Sequence, residues 1–143
     1  MKFTLIIDPE REEEVLVYAH KKSGLTERIA ELAEEACEEL FGYLEGRAVK
    51  LDVLSVCAFA VEDSKVFAIT DKGRFAIRER LYRLEERFGD SFVKINQSCL
   101  VRVDSIEKFD ASIGGSLMVT TRCGYRDYVS RRQLKSVKER IGI

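Results

Sequence analysis

The chain has 143 residues, the size of one compact domain or of one domain with a small annex, which excludes two full-sized domains. Hydrophobic residues make up 45% and charged residues 34%, with nine Gly and one Pro, which excludes disordered, collagen-like and Pro-rich proteins. The net charge of −1 is unevenly distributed: residues 1–45 carry 5 Lys and Arg against 12 Asp and Glu, whereas residues 46–143 carry 19 against 13. A basic half indicates an acidic partner, and nucleic acid is the first candidate.

Residues 1–45 predict a ββα annex. The segments Lys2–Ile7 and Val15–Ala19 are short apolar or β-branched runs, which favours two strands. Between them, Asp8–Glu14 combines Pro with a run of charge, a composition that interrupts any strand.

An amphipathic helix is predicted after Gly24, because apolar residues then recur every three or four positions. These residues are Leu25, Ile29, Leu32, Ala36, Leu40 and Leu44. The opposite face carries a run of glutamates, typical of a solvated surface and compatible with an interaction surface. Gly42 and Gly46 predict the helix end and a domain boundary, which divides the chain into 1–45 and 46–143.

From residue 46 the hydrophobic period changes to two, which predicts a β-rich domain. Three hairpins are expected, because glycine-containing turns separate alternating segments at Asp71–Gly73, Gly114–Gly115 and Arg122–Gly124.

Two short helices are expected in the same domain. Leu81–Phe88 carries apolar residues at helical spacing and is followed by Gly89. Ser130 and Gln133 form a Ser-x-x-Gln capping box that predicts the start of a last helix, which continues through Ile141.

The cysteines do not form a metal site in the sequence pattern. Cys37, Cys57, Cys99 and Cys123 are 20, 42 and 24 positions apart, with no C-x-x-C pair. We expect four small buried side chains in a reducing compartment. The chain also lacks an apolar stretch of about 18 residues and a signal peptide. The sequence therefore predicts a soluble, cytoplasmic protein without metal or cofactor.

Catalytic groups are scarce. The only histidine, His20, is expected on a surface loop of the annex. The sequence has no G-x-S-x-G, P-loop, H-E-x-x-H or G-x-G-x-x-G motif, so the sequence signatures of serine hydrolases, nucleotide-binding enzymes and zinc proteases are missing. We therefore expect no enzyme.

Polar residues suited to DNA cluster in Phe92–Arg102. Asn and Gln can read adenine edges, while Arg and Lys read guanine or bind phosphate. In the alternative interpretation Asn96 and Ser98 cap the local backbone of a turn, and the sequence leaves both open. Arg131 and Arg132 occupy the first turn of the last helix, where the helix dipole disfavours cations, so a binding role is favoured there.

Two motifs in this order resemble the LytTR family of bacterial DNA-binding domains. They are Phe92–Ile106 and, after a glycine-containing hairpin, Tyr128–Lys135; the preceding Tyr43–Glu85 continues the resemblance. It implies an α+β fold, mostly β, of small antiparallel sheets with short helices. It also implies loops that enter successive major grooves and recognise direct repeats in duplex DNA.

The resemblance assigns site residues by position. Base contacts fall at Lys65, Asn96, Gln97, Arg131 and Arg132. Phosphate contacts fall at Lys94, Ser98 and Arg102. Only 45 residues precede the DNA-binding part, so we expect a short stand-alone regulator without a phosphorylatable receiver.

The annex resembles the amino-terminal extension of such short regulators. These are often encoded beside a small membrane protein, which implies a functional link to one. We expect the annex to form a homodimer, because two linked domains gain affinity for repeated half-sites and its strands offer edges for pairing.

Two other functions remain open from the sequence. One is a protein-interaction module that acts through the acidic helix, for which Glu31, Glu35 and Glu38 are the test positions. The other is a small-molecule sensor whose pocket is the annex core.

Overall fold

The alternating segments build two antiparallel sheets in this computed structural model, which describes residues 1–36, 39–111 and 116–143. Within these residues, seven strands form one sheet in the order β2-β1-β5-β4-β3-β7-β6, and three form another in the order β10-β9-β8. The strands of the large sheet are β1 (Leu40–Leu44), β2 (Arg47–Leu51), β3 (Val56–Glu62), β4 (Lys65–Thr70), β5 (Gly73–Ile77), β6 (Phe92–Asn96) and β7 (Cys99–Arg102). Those of the small sheet are β8 (Ile106–Ala111), β9 (Leu117–Thr121) and β10 (Arg126–Val129).

Three α-helices accompany the sheets in the described part of the chain: α1 (Gly24–Ala36), α2 (Leu81–Phe88) and α3 (Arg131–Ile141). The predicted α+β class with a β majority is confirmed. None of these helices is long and apolar enough to cross a membrane.

The predicted hairpins β4–β5, β8–β9 and β9–β10 are all antiparallel pairs. Gly73 has φ +123°, a backbone conformation that L side chains rarely adopt, and it closes the first of these turns opposite Thr70. The predicted Gly114–Gly115 turn lies outside the described residues.

The core lies on both faces of the large sheet. On one face α2 packs Leu84 and Phe88 against Phe59 of β3, with the Phe59 and Phe88 ring centroids 6.0 Å apart. On the other face the small sheet and α3 contribute Val119 and Val137. Strand β3 is central and therefore buried on both sides over most of its length.

Helix α1 is shorter than predicted. It ends at Ala36, and Leu40–Leu44 form β1, paired with β2 from Leu40↔Leu51 onward. The prediction of one helix through Leu44 is wrong because the strand pairing buries Leu40 in the core, which outweighs a helical pattern continued by only two leucines. The β1–β2 hairpin also spans the proposed boundary between residues 45 and 46.

The two annex strands are a second correction. Residues 1–23, all described, form no strand and are exposed throughout. Their main order is a turn in which Glu10 N donates to Asp8 Oδ1 at 3.1 Å. The prediction of strands fails because a strand needs a partner edge, and this chain supplies none for Lys2–Ile7 or Val15–Ala19. His20 is exposed in this segment, as predicted.

The cysteine prediction needs a third correction. Cys57 on β3 and Cys123 in the β9–β10 turn form a disulfide that joins the two sheets. The sequence separation of 66 residues hid a pair that strand packing brings together. Cys99 is free and buried, as expected, and Cys37 lies outside the described residues.

Helix α3 begins where predicted, directly after Ser130, but the capping box is not formed. The Ser130 side chain makes no cap hydrogen bond. Its backbone N–H instead donates to Ile95 O at 2.8 Å, so the helix start is tied to β6.

Candidate nucleic-acid interface

Three chain connections meet at one end of the large sheet. They are the β3–β4 turn, the β6–β7 turn and the segment that joins β10 to α3. Val61 N donates to Ser98 O at 2.8 Å, which places the β3 end beside the β6–β7 turn. The bond from Ser130 N to Ile95 O then places the start of α3 beside the same turn. The resemblance had assigned base-contacting residues to these three connections.

The β3–β4 turn presents Lys65 to solvent. Asp63 and Ser64 have φ values of 50° and 64°, the left-handed pair that a two-residue hairpin turn requires. Glu62, at the base of the turn, forms a 2.6 Å ion pair with Arg74, whose hydrogen bond lowers the pKa of this carboxyl. Arg74 thus offsets the negative charge of the Glu62 carboxylate, which would otherwise repel an anion bound near Lys65.

Asn96 is a contradicted assignment. Its side chain is 4% exposed, Oδ1 accepts from Ser98 N at 2.8 Å, and Nδ2 donates to Tyr128 O at 2.9 Å. With both polar groups engaged, it has no free edge for a base. The local-capping interpretation is correct for this residue, which holds the β6–β7 turn against the end of β10.

The neighbouring residues face solvent. Gln97 and Ser98 at the tip of the β6–β7 turn are exposed, as are Arg131 and Arg132 at the start of α3. Lys94 on β6 is half-buried and borders a shallow depression together with Gln97 and Tyr82 of α2.

Arg102 is the second contradicted assignment, since a buried guanidinium cannot contact phosphate. It is 2% exposed at the end of β7 remote from the β6–β7 turn. Its guanidinium carbon lies 4.7 Å from the centroid of the Phe92 ring. Its Nη1 donates to Glu35 Oε2 at 2.9 Å, Nε to Val56 O at 2.9 Å, and Nη2 to Val53 O at 2.6 Å. Burial lowers the pKa of Arg102. The residue anchors α1 to the sheet.

Glu35 changes the interpretation of the acidic helix. It is 7% exposed and paired with Arg102, so it belongs to the fold and not to a solvated surface. Glu31 pairs with Arg28 at 3.1 Å on the same helix, and Glu38 lies outside the described residues. The alternative function, a protein-interaction module that acts through these three glutamates, therefore lacks Glu35 as an exposed contact residue.

Sequence reasoning missed a basic strip beside Lys65, which we define as Lys65, Arg78, Arg80 and Arg83. Val66 pairs with Ile77, so Lys65 at the start of β4 lies next to Arg78 at the end of β5. Arg78 and Arg80 border the same depression as Lys65, and Arg83 continues the surface along α2. The spacing of these arginines was visible in the sequence, but only the β4–β5 pairing brings them to the Lys65 turn.

The buried polar groups nearby do not form a reactive site. Burial raises the pKa of the Cys99 thiol to about 12, so the nucleophilic thiolate is scarce at neutral pH. Burial also raises the pKa of Tyr125, whose hydroxyl donates to Asp127 Oδ2 at 2.9 Å. In the described ranges, no three His, Cys, Asp or Glu residues are grouped as metal ligands.

Comparison with known families decides what this surface is part of. The model of the LytTr DNA-binding domain matches residues 46–142, about two-thirds of the chain. This chain belongs to the LytTR family. The matched residues begin just before β2, so α1 and β1 lie outside the match, although β1 pairs with β2 in the large sheet. A LytTR protein of this kind is a DNA-binding regulator and not an enzyme.

Relatives and a solved structure agree with this membership. A protein of Staphylococcus aureus (strain NCTC 8325 / PS 47), described as an uncharacterized HTH-type transcriptional regulator, is 31% identical over 146 residues. That match covers 100% of this chain and 99% of the relative. A counterpart from strain MSSA476 is 30% identical over the same span. A solved LytTr DNA-binding domain from Bacillus cereus has the same fold, with a TM-score of 0.69 at 16% identity, covering 73% of this chain and 97% of that domain.

Proposed function

We propose that this LytTR protein regulates transcription by reading direct repeats in duplex DNA with the three connections at one end of the large sheet. The observation that carries the proposal is their convergence, through the hydrogen bonds Val61 N to Ser98 O and Ser130 N to Ile95 O. A major groove about 12 Å wide admits such protruding elements, and each base pair presents a distinct pattern there.

The exposed residues divide by chemistry. Gln97 suits an adenine edge and Arg132, with Arg131, suits guanine, while Lys65 reads from the neighbouring turn. Lys94 and Ser98 suit phosphates, and the basic strip extends that contact along α2. Asn96 and Arg102 position the loops and α1, and contact no DNA.

The remaining parts of the proposal concern partners and location. We propose a homodimer formed through the amino-terminal segment, because linking two domains raises the effective concentration of the second at a repeated site. A cytoplasmic location follows from a DNA partner. The functional link to a small membrane protein rests on the resemblance alone.

Selection from a pool of randomised duplexes, followed by anisotropy binding at two salt concentrations, tests the function. We expect a direct repeat to be recovered and its affinity to fall steeply with salt, because phosphate contacts release counterions. The specific site should bind about 10³-fold or more tightly than random DNA. Absence of enrichment together with salt-insensitive binding would overturn the proposal.

A further inference from the structure

The segment Glu12–Lys22 is an apolar strand-like sequence that the described chain leaves without a partner. Val15, Leu16 and Val17 are exposed, and Tyr18 is 95% exposed. The segment lies outside residues 46–142, the part matched by the LytTr model, so the domain is complete without it. The full-length match to the Staphylococcus aureus relative nevertheless includes it. These residues are therefore a shared addition to a finished domain.

The charges of this segment form a mirror pattern around Val17. Three acidic residues precede the apolar run and three basic-type residues follow it, at equal distances from the centre. The acidic residues are Glu12, Glu13 and Glu14, and the others are His20, Lys21 and Lys22. A strand with this pattern is complementary to its own reversed copy.

We propose that two copies of this chain pair through Glu12–Lys22 as antiparallel strands, with Val17 on the two-fold axis. This deepens the homodimer of the proposed function and rests on it. The register places Glu12 opposite Lys22 of the partner subunit, Glu13 opposite Lys21 of the partner subunit, and Glu14 opposite His20 of the partner subunit. Between them, Leu16 meets Tyr18 of the partner subunit. A two-fold interface of this kind is self-complementary by symmetry.

Charge selects this arrangement over its competitors. Opposite charges directly across an antiparallel pair stabilise it and like charges destabilise it. Parallel in-register pairing would set glutamates against glutamates and lysines against lysines. A one-residue slip of the antiparallel register places either Glu12 opposite Ser23 of the partner subunit or Glu14 opposite Ala19 of the partner subunit, so the register centred on Val17 forms the most acidic–basic pairs.

The position of the segment keeps the DNA loops free. It joins α1 through Ser23, whose backbone N–H donates to Thr26 Oγ1 at 2.9 Å at the helix start. Helix α1 is anchored by the Glu35–Arg102 ion pair at the end of β7 opposite to the β6–β7 turn. Near the start of α1, Arg28 Nη1 donates to Ser91 Oγ at 3.4 Å, just before β6. The segment therefore leaves the domain at the end of the sheet remote from the proposed DNA contacts, and the two-fold axis relates the paired strands only.

A charge exchange in the full-length protein, measured by sedimentation without DNA, tests the register. The variant Glu12→Lys/Glu13→Lys and the variant Lys21→Glu/Lys22→Glu each place like charges across the pair. We expect each alone to raise the dimer dissociation constant about tenfold or more, and an equimolar mixture to restore dimers to within about threefold of the original. The matched control Glu85→Lys/Glu86→Lys makes the same change in net charge as Glu12→Lys/Glu13→Lys, on exposed positions of α2, and should leave dimerisation unchanged.

A cysteine at the two-fold axis gives an independent reading. In a Cys37→Ser background, Val17→Cys should form a disulfide-linked dimer on mild oxidation, whereas Glu10→Cys, outside the paired strands, should not. Monomeric wild-type protein, failure of the mixture to restore dimers, or no crosslink at Val17 would each overturn the proposal. Affinity for one isolated DNA half-site, measured in parallel, reports on the proposed function separately and should be the same for all variants of residues 12–22.

Discussion

Asn96 and Arg102 lie in Phe92–Arg102, the segment in which residue types suited to DNA binding cluster, yet both have structural roles in the folded domain. Each is almost fully buried. Asn96 forms hydrogen bonds with backbone groups, and Arg102 donates to backbone carbonyls and to Glu35. The sequence shows the residue type but not the burial, and burial decides which partner a polar group must satisfy. Gln97, one position from Asn96, has the opposite outcome because it occupies the turn tip.

Arg132 is the residue for which we expect a specific role. Arg132→Ala should weaken binding to the selected site by about 1–3 kcal/mol and relax the base preference at one position. Lys94→Ala should weaken binding to all sequences alike and reduce the salt dependence. Anisotropy titrations on specific and random duplexes check both. An equal loss on the two DNAs for Arg132→Ala would contradict base reading by this residue.

Glu35 is a residue whose loss should destabilise the fold. Removing one partner of a buried ion pair leaves the other charge uncompensated, so we expect Glu35→Ala to lower the free energy of unfolding by about 3–5 kcal/mol. Glu31→Ala, which breaks a half-exposed pair with Arg28, should cost about 1 kcal/mol or less. Urea unfolding of both variants makes the comparison, and similar small losses would show that Glu35 is not the anchor described.

At the scale of elements, the sequence period served well where one strand or helix face is buried. The hairpins β4–β5, β8–β9 and β9–β10 and the helix α2 lie where alternation, helical spacing and glycines predicted them. It failed at Leu40–Leu44, because two leucines four positions apart also suit a strand whose Leu40 is buried and whose Gly42 approaches Phe75. A Cβ at Gly42 would lie 2.5 Å from the Phe75 Cβ, a close approach that only the folded sheet reveals.

The disulfide between β3 and the β9–β10 turn is an element-scale device that joins the two sheets. Because it closes a loop of 66 residues, its reduction should lower the free energy of unfolding by about 2–4 kcal/mol. Cys123→Ser should reproduce most of that loss in the absence of reductant, and reductant should then have little further effect. Thermal unfolding with and without reductant measures it. An unchanged midpoint in both cases would contradict a stabilising bond.

At the scale of the whole molecule, the two ends of the large sheet contact different parts of the protein. The Glu62 end of β3 carries the candidate DNA connections, and the Arg102 end of β7 holds α1 and, through it, the amino-terminal segment. The proposed DNA binding and the proposed assembly thus lie at opposite ends of one sheet, so we expect that either can be altered without the other.

Deletion of residues 1–22 tests this separation. All of these residues are exposed, so the shortened protein should keep the free energy of unfolding of the full-length monomer within about 0.5 kcal/mol, measured at concentrations that dissociate the dimer. It should keep its affinity for one half-site but lose the added affinity for a repeat, because the link between two copies is gone. Unfolding curves and titrations on one-site and two-site duplexes check this, and a large loss of stability would show that the segment packs on the domain.

The sequence by itself determined the β-rich class, the positions of three hairpins and the resemblance to LytTR domains, because period, turn residues and motif order are local properties of the chain. The resemblance also assigned base contacts to Lys65, Gln97 and Arg132, and all three are exposed. Only the tertiary structure decided that Asn96, Glu35 and Arg102 are buried, that Cys57 meets Cys123, and that the basic strip adjoins the Lys65 turn. Those outcomes depend on contacts between residues far apart in the chain, and such contacts exist only after the strands have paired.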